Sequence, residues 1–296
     1  MSASWPQPPS STAASPAEPA QIRHEEGKAT DYIPHFRREV VAFEAAARRA
    51  AGADEAPWVP SCPGWSVSEL VGHLGAVHRA VISIIRERLP GLPDSTDLAF
   101  LALPADREGW PTSLEHAPAN RGPVPVGLID WFADGAFALE SLFRSSGLDQ
   151  PVWTWSQEQT TGFWLRVQTI EAAVHRWDAE SAIGAAQPVE AGLAADAVSQ
   201  TFEVMAPARR AWGQAPPGAG ERFWLRQADG TGSWMVRFEG DDVRLDQSAG
   251  PCDVELAGTA SDLMLFLWHR IPADHLDEVK GDRGVLDRYF TLVPPR

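Results

Sequence analysis

At 296 residues the chain is longer than one compact core usually holds, so two domains are expected. Its formal net charge of −15 repels phosphate backbones, which argues against nucleic acid as a partner. No stretch approaches the roughly 18–20 apolar residues of a membrane span, so no membrane partner is expected. Two distant cysteines, Cys62 and Cys252, form neither a disulfide framework nor a zinc-finger spacing, and the N-terminus lacks the charged and apolar runs of a secretory signal. A reducing, cytoplasmic location is the expectation. The 13 Trp against 2 Tyr suggest that some indoles line a pocket as well as fill a core.

Residues 1–27, rich in Pro, Ser and Ala, read as an extended or disordered tail. A first helix is expected over 30–52, with Ile33, Phe36, Val40, Phe43 and Ala47 at helical spacing. After the loop Trp58–Trp65, Ser66 and Glu69 form a capping-box pair that opens a second helix. Residues 90–123 are Pro-rich and loop-like, a third helix covers about 124–145, and a fourth ends near Gly184. These four make a helical bundle over 28–187. Over 188–296 the texture changes. A helix at 190–212 precedes short strands at Phe223–Arg226, Ser233–Phe238, Val243–Asp246 and Asp253–Leu256, with turns at Asp229-Gly230 and Gly240-Asp241. Thr259 caps a helix running to Arg270, and a last helix covers 283–291. The fold class is α+β: a four-helix bundle followed by a small α+β domain.

Chemistry concentrates on the fourth helix. Glu171 and His175 are four residues apart and therefore stack on one face, with Asp178 three further along. The stripe borders the apolar positions Val167, Ile170, Val174 and Trp177, so three groups that are costly to bury line the edge of a buried surface. A carboxylate and an imidazole one turn apart can grip one metal ion. The alternative is a core-edge hydrogen bond, or pairing of Glu171 with Arg166 or Arg176. The second helix offers His73 and His78; a helical wheel puts His78 in the apolar stripe and His73 at its flank, and either could complete the set. Two His and one carboxylate leave positions open and suit zinc or non-haem iron. Asp178 is placed to orient His175 from behind or to act as a base. Cys62, in the loop before the second helix, is packed loop, a further ligand or a redox thiol. Trp65, Trp153, Trp155 and Trp164 are candidates for an aromatic wall, and Trp110 and Trp131 for shaping a pocket mouth. His269 and His275 have no motif around them.

Four blocks of the chain carry a resemblance. Cys62-Pro-Gly-Trp65-Ser-Val-Ser-Glu-Leu70-Val-Gly-His73-Leu and Glu171-Ala-Ala-Val-His175-Arg-Trp-Asp178 resemble the second- and fourth-helix signatures of the mycothiol-dependent maleylpyruvate isomerase family. Gly258-Thr-Ala-Ser-Asp262 through Trp268-His-Arg270, and Gly281-Asp282 with its short helix, resemble that family's second domain. The match keeps its order over roughly 30–296. It implies a DinB-like metal-binding bundle followed by a domain similar to sterol carrier proteins. It further implies zinc held by His73, Glu171 and His175, in place of the wheel's choice of His78, and mycothiol as cofactor. The family reaction is cis–trans isomerisation of maleylpyruvate by thiolate addition, bond rotation and elimination. Arg270 matches a family arginine and is the candidate for receiving the substrate's negative charge, so Asp178 and Arg270 are the expected catalytic residues.

Expected partners are mycothiol and a small electrophilic acid; the oligomeric state is not legible. A mycothiol S-transferase shares the addition step. A non-catalytic metal-stabilised carrier and a metal-dependent hydrolase are the further alternatives. The long 90–123 segment and the N-terminal tail depart from the compact family pattern.

Overall fold

The architecture is that of a computed structural model, which describes residues 31–94, 96–111, 122–246 and 250–295. The expected tail over 1–27 lies outside the described residues, as does part of the Pro-rich 90–123 segment. Helix α1 (Tyr32–Ala50) opens at Asp31, whose carboxylate accepts from Ile33 N, and buries Phe36, Val40, Phe43 and Ala47. Helix α2 (Val67–Glu87) opens with the expected capping box: the Ser66 N–H donates to Glu69 Oε2 at 2.8 Å, and Ser66 Oγ accepts from Ser68 N. Helix α3 (Val126–Ser145) and helix α4 (Thr161–Ala182), the latter capped by Thr160, complete the bundle. α1 packs on α3 and α4, and α2 packs on the same two, closing a four-helix ring. A single 3-10 turn, Leu98–Leu101, interrupts the loop that follows α2.

The helix expected over 190–212 is three pieces. Helix α5 (Ala191–Gln200) runs into a π-helical turn at Thr201–Met205 and then helix α6 (Ala206–Gly213). Pro207, in the first turn of α6, has no N–H for the preceding turn and its ring crowds the carbonyl four residues back, so the helix widens just before it.

A five-stranded sheet follows, in the order β3-β2-β1-β4-β5, with β1 (Gly218–Gln227), β2 (Ser233–Gly240), β3 (Asp242–Asp246), β4 (Val254–Gly258) and β5 (Glu278–Gly281). β1 and β4 are parallel and the other pairs antiparallel. Phe223, Leu225, Val236, Phe238, Val254 and Leu256 form its buried face. On the outer face Arg226 pairs with Glu255 and Glu278. Two strand expectations need correction. β1 begins at Gly218, five residues before the expected start at Phe223, because Gly218 and Ala219 pair with Gly240 and Glu239. β5 was not expected at all, since four residues with two charges carry no alternation and its pairing is wholly with β4.

Helix α7 (Ala260–Leu267) also ends sooner than expected, and helix α8 (Arg283–Leu292) closes the chain. After Trp268, His269 takes a left-handed φ of 62°. Its N–H bonds Phe266 O, and the Arg270 N–H reaches back to Leu265 O at 2.8 Å. These two bonds are a Schellman closure. Arg270 therefore leaves the helix axis instead of continuing it.

α4 belongs to two cores. Phe163, Trp164, Leu165, Val167, Ala172 and Ala179 join the bundle core. Ile170, Ala173 and Val174 join the core under the sheet, with α5 and α7. The domain break expected between 187 and 188 falls in the α4–α5 connection, yet the back of α4 is part of the second core. The Arg176 guanidinium holds that connection, bonding Glu39, Glu180 and the carbonyls of Gln187 and Pro188.

Candidate metal centre

The α4 face expected from spacing meets the N-terminal half of α2. His73 Nε2 stands 3.4 Å from Glu171 Oε1, and His175 Nε2 stands 4.0 Å from the same oxygen. The two imidazoles meet edge to face at 5.2 Å between centroids. One donor atom from each of His73, Glu171 and His175 lies within 4.8 Å of the others, and among the described residues this is the one such cluster. Bonds of about 2.0–2.1 Å in tetrahedral geometry separate neighbouring donors by about 3.3 Å. The set fits a small divalent cation after a modest inward movement. Side-chain exposures of 25%, 16% and 9% for His73, Glu171 and His175 put it at a rim that an outside ligand can reach.

The groups behind these donors orient them. His175 Nδ1 is 2.9 Å from Asp178 Oδ2, which turns Nε2 toward Glu171. Asp178 is fully buried and also accepts from Ser61 Oγ and from Arg270 Nε and Nη2. Burial alone would raise its carboxyl, but Arg270 and His175 outweigh burial and hold it far below the usual carboxylate range. Burial lowers His175 and favours the neutral imidazole that a metal needs, with Asp178 opposing. For Glu171, burial raises the carboxyl and the hydrogen bond and charge of His73 lower it further, so it stays ionised. Gln168, one turn earlier on α4, donates from Nε2 to Glu171 Oε2 at 3.1 Å. Sequence reading missed it, although its i, i+3 spacing from Glu171 was available as a signal.

His78 lies elsewhere. It is fully buried with its ring against Phe36 and Phe132, and burial pushes its pKa down to about 3. Cys62 does reach the centre's edge: its Sγ is 3.7 Å from Asp178 Oδ2 and 3.5 Å from Arg270 Nη2. It is not among the clustered donors, and burial together with the Asp178 charge pushes the thiol up to about 11. Arg270 arrives from the second domain, yet its guanidinium is spent largely on Asp178 and on the Trp268 carbonyl.

The expected aromatic wall divides. Trp65 packs on the His73 ring at 5.1 Å, whereas Trp164 is core and bonds the Trp153 carbonyl. Trp155 meets Phe163 and Trp212 of α6 edge to face. Trp110 and Trp131 pack on each other in the bundle core, with Trp131 Nε1 bonded to Leu101 O. His269 lies on Phe290 and His275 in a short turn, and neither is among the clustered donors. A surface cavity of about 330 Å³ near Ser83, Glu87 and Phe100 shares no residue with the cluster.

Two family models match in tandem. Residues 36–180 match the mycothiol maleylpyruvate isomerase N-terminal domain, and residues 192–288 match the C-terminal domain of the same family. No curated protein gives a significant match. A crystal structure of a mycothiol-dependent maleylpyruvate isomerase aligns with a TM-score of 0.53 at 13% identity, covering 83% of this chain and 90% of that one. A histidine-to-alanine mutant of such an isomerase aligns with a TM-score of 0.54 at 12% identity over the same shares. At this identity the two structures establish likeness of fold.

Proposed function

This chain belongs to the mycothiol-dependent maleylpyruvate isomerase family, and from that premise we propose a metal- and mycothiol-dependent enzyme acting on a small electrophilic unsaturated acid, a cis–trans isomerase of the maleylpyruvate type. The observation that carries the reading is the convergence of His73 Nε2, Glu171 Oε1 and His175 Nε2 at a solvent-reachable rim. These three would hold the ion, with zinc the metal best suited to two imidazoles and a carboxylate. When bound, zinc supplies a Lewis acid that lowers the pKa of a thiol at its open position.

The chain's own groups do the rest. Asp178 fixes the His175 tautomer, and Trp65 covers the His73 ring and keeps water from that side. Cys62 is held protonated at neutral pH, which makes it a poor internal nucleophile and supports a thiol arriving from solution. Arg270 ties the second domain to Asp178.

One observation favours S-transfer as a second reading. Of the five guanidinium N–H groups of Arg270, four are engaged: Nε and one on Nη2 with Asp178, the other on Nη2 with Cys62, and one on Nη1 with Trp268 O. A single remaining N–H suits an electrophile with one negative group better than a dicarboxylate.

Elemental analysis should find one divalent metal per chain, lost in His73→Ala and in His175→Ala and kept in His78→Ala. Full retention in both of the first two variants would remove the assignment. Metal-loaded protein is then incubated with mycothiol and maleylpyruvate, and with a panel of Michael acceptors. Isomer release supports the isomerase, and a product that retains the thiol supports transfer. Turnover unchanged without thiol rejects both in favour of hydrolysis, and metal binding with no turnover favours a carrier.

A further inference from the structure

We propose that Gln168 is a positioning residue for the ligating carboxylate: its buried amide occupies Oε2 of Glu171 and so presents Oε1 alone to the ion. The inference rests on the metal reading above. Gln168 and Glu171 are on one face of α4, one turn apart, and the amide Nε2 donates to Oε2 at 3.1 Å. The other oxygen, Oε1, is the atom that faces His73 at 3.4 Å and His175 at 4.0 Å. A carboxylate with both oxygens free can chelate through both and take two coordination positions. Held by one oxygen it takes one, which keeps a place for an outside ligand. Ligating carboxylates are themselves commonly held by hydrogen bonds for this reason.

A second observation separates this role from ordinary helix packing. Gln168 is 0% exposed, and its Oε1 has no hydrogen-bond partner. A buried acceptor without a donor costs stability. Polar groups kept at a cost to the fold mark places where local stability has yielded to function. In Gln168 the one satisfied group is the one that touches the ligand.

Gln168→Met keeps the length and burial and removes the donor; Gln168→Leu removes it with a shorter chain. Zinc affinity, measured by competition with a chelator, should fall roughly 10–100-fold in both, the range for residues that support metal ligands. The metal-free melting temperature of Gln168→Met should change little, because the orphaned acceptor is removed while Glu171 Oε2 loses its donor. With cobalt(II) as probe, the wild-type d–d bands should be intense, as for a four-coordinate ion, and weaken in the variants as Oε2 joins the coordination sphere. A lower metal-free melting temperature with unchanged zinc affinity and an unchanged cobalt spectrum would overturn the proposal and leave a structural hydrogen bond. Absence of stoichiometric metal from the wild type would instead overturn the metal reading, and this inference with it.

Discussion

At the scale of single residues, His73 and His78 divide two demands that look alike in a sequence. A helical wheel ranks burial, and His78 is indeed the more buried, at 0%. A ligand for an exogenous cofactor must also reach a rim, and there His73, on the stripe's flank and 25% exposed, meets Glu171. The buried histidine has its own consequence. Its folded pKa is lowered from 6.5 to about 3, by burial first. Between those values the unfolded chain binds a proton that the folded one does not, so stability is full above about pH 6.5 and falls as pH drops toward 3. The slope from this one group is about 1.4 kcal/mol per pH unit. His78→Phe, set between Phe36 and Phe132, should flatten the acid limb of a stability–pH curve measured on metal-free protein by urea unfolding. A limb as steep as that of wild type would show that His78 does not carry it.

At the scale of elements, α2 is fitted to α3 as closely as the centre is fitted to α4. A methyl on Gly75 would run into the Trp131 ring, with Cε3 at 2.9 Å and Cη2 at 3.0 Å as well as a closer Cζ3. The ring cannot retreat, because Nε1 is bonded to Leu101 O and the Arg79 guanidinium lies over it at 3.9 Å. Gly75→Ala gains about 1 kcal/mol of helix propensity and loses about 1–3 kcal/mol to overpacking. We expect a lower urea midpoint and weaker metal binding, since His73 is on the same helix; a midpoint at or above wild type would contradict the packing argument. Elements with their own local signals were legible from sequence: the Ser66–Glu69 box, the α4 stripe and the turns flanking β2. What stayed hidden depends on distant partners. β5 exists only through β4. The Schellman turn at His269 sends Arg270 to Asp178, although helical periodicity continued to Arg270. Pro207 could have announced the break before α6, while the π turn it produces could not have been read from spacing.

At the scale of the whole molecule, the centre is a joint construction. The bundle supplies His73, Glu171, His175 and Asp178, and the second domain supplies Arg270. Further ion pairs from Arg166 to Asp196 and Glu203 bind α4 to the helices that follow it. The family resemblance made the tandem order of the domains legible. It did not foretell that α4 would be roofed on both sides, because the spacing of its apolar positions marks them as buried and not which neighbour buries which face. Among the described residues no helix is long and apolar enough to cross a membrane.

The shared helix imposes a timetable on synthesis. Ile170, Ala173 and Val174 leave the ribosome before α5, and about ninety residues before the apolar face of α7, an interval of about 5–20 s at typical translation rates. During that interval α5, through Leu193, Ala194 and Ala197, is the first cover available to the bare side of α4. Ribosome-bound chains halted on a linker that carries residue 182 clear of the exit tunnel should therefore be cut by protease within α4, chains that expose α5 as well more slowly, and chains that expose α8 hardly at all. Equal resistance at all three lengths would mean that α4 needs no later neighbour, and that a newborn bundle can wait unaided for its second half.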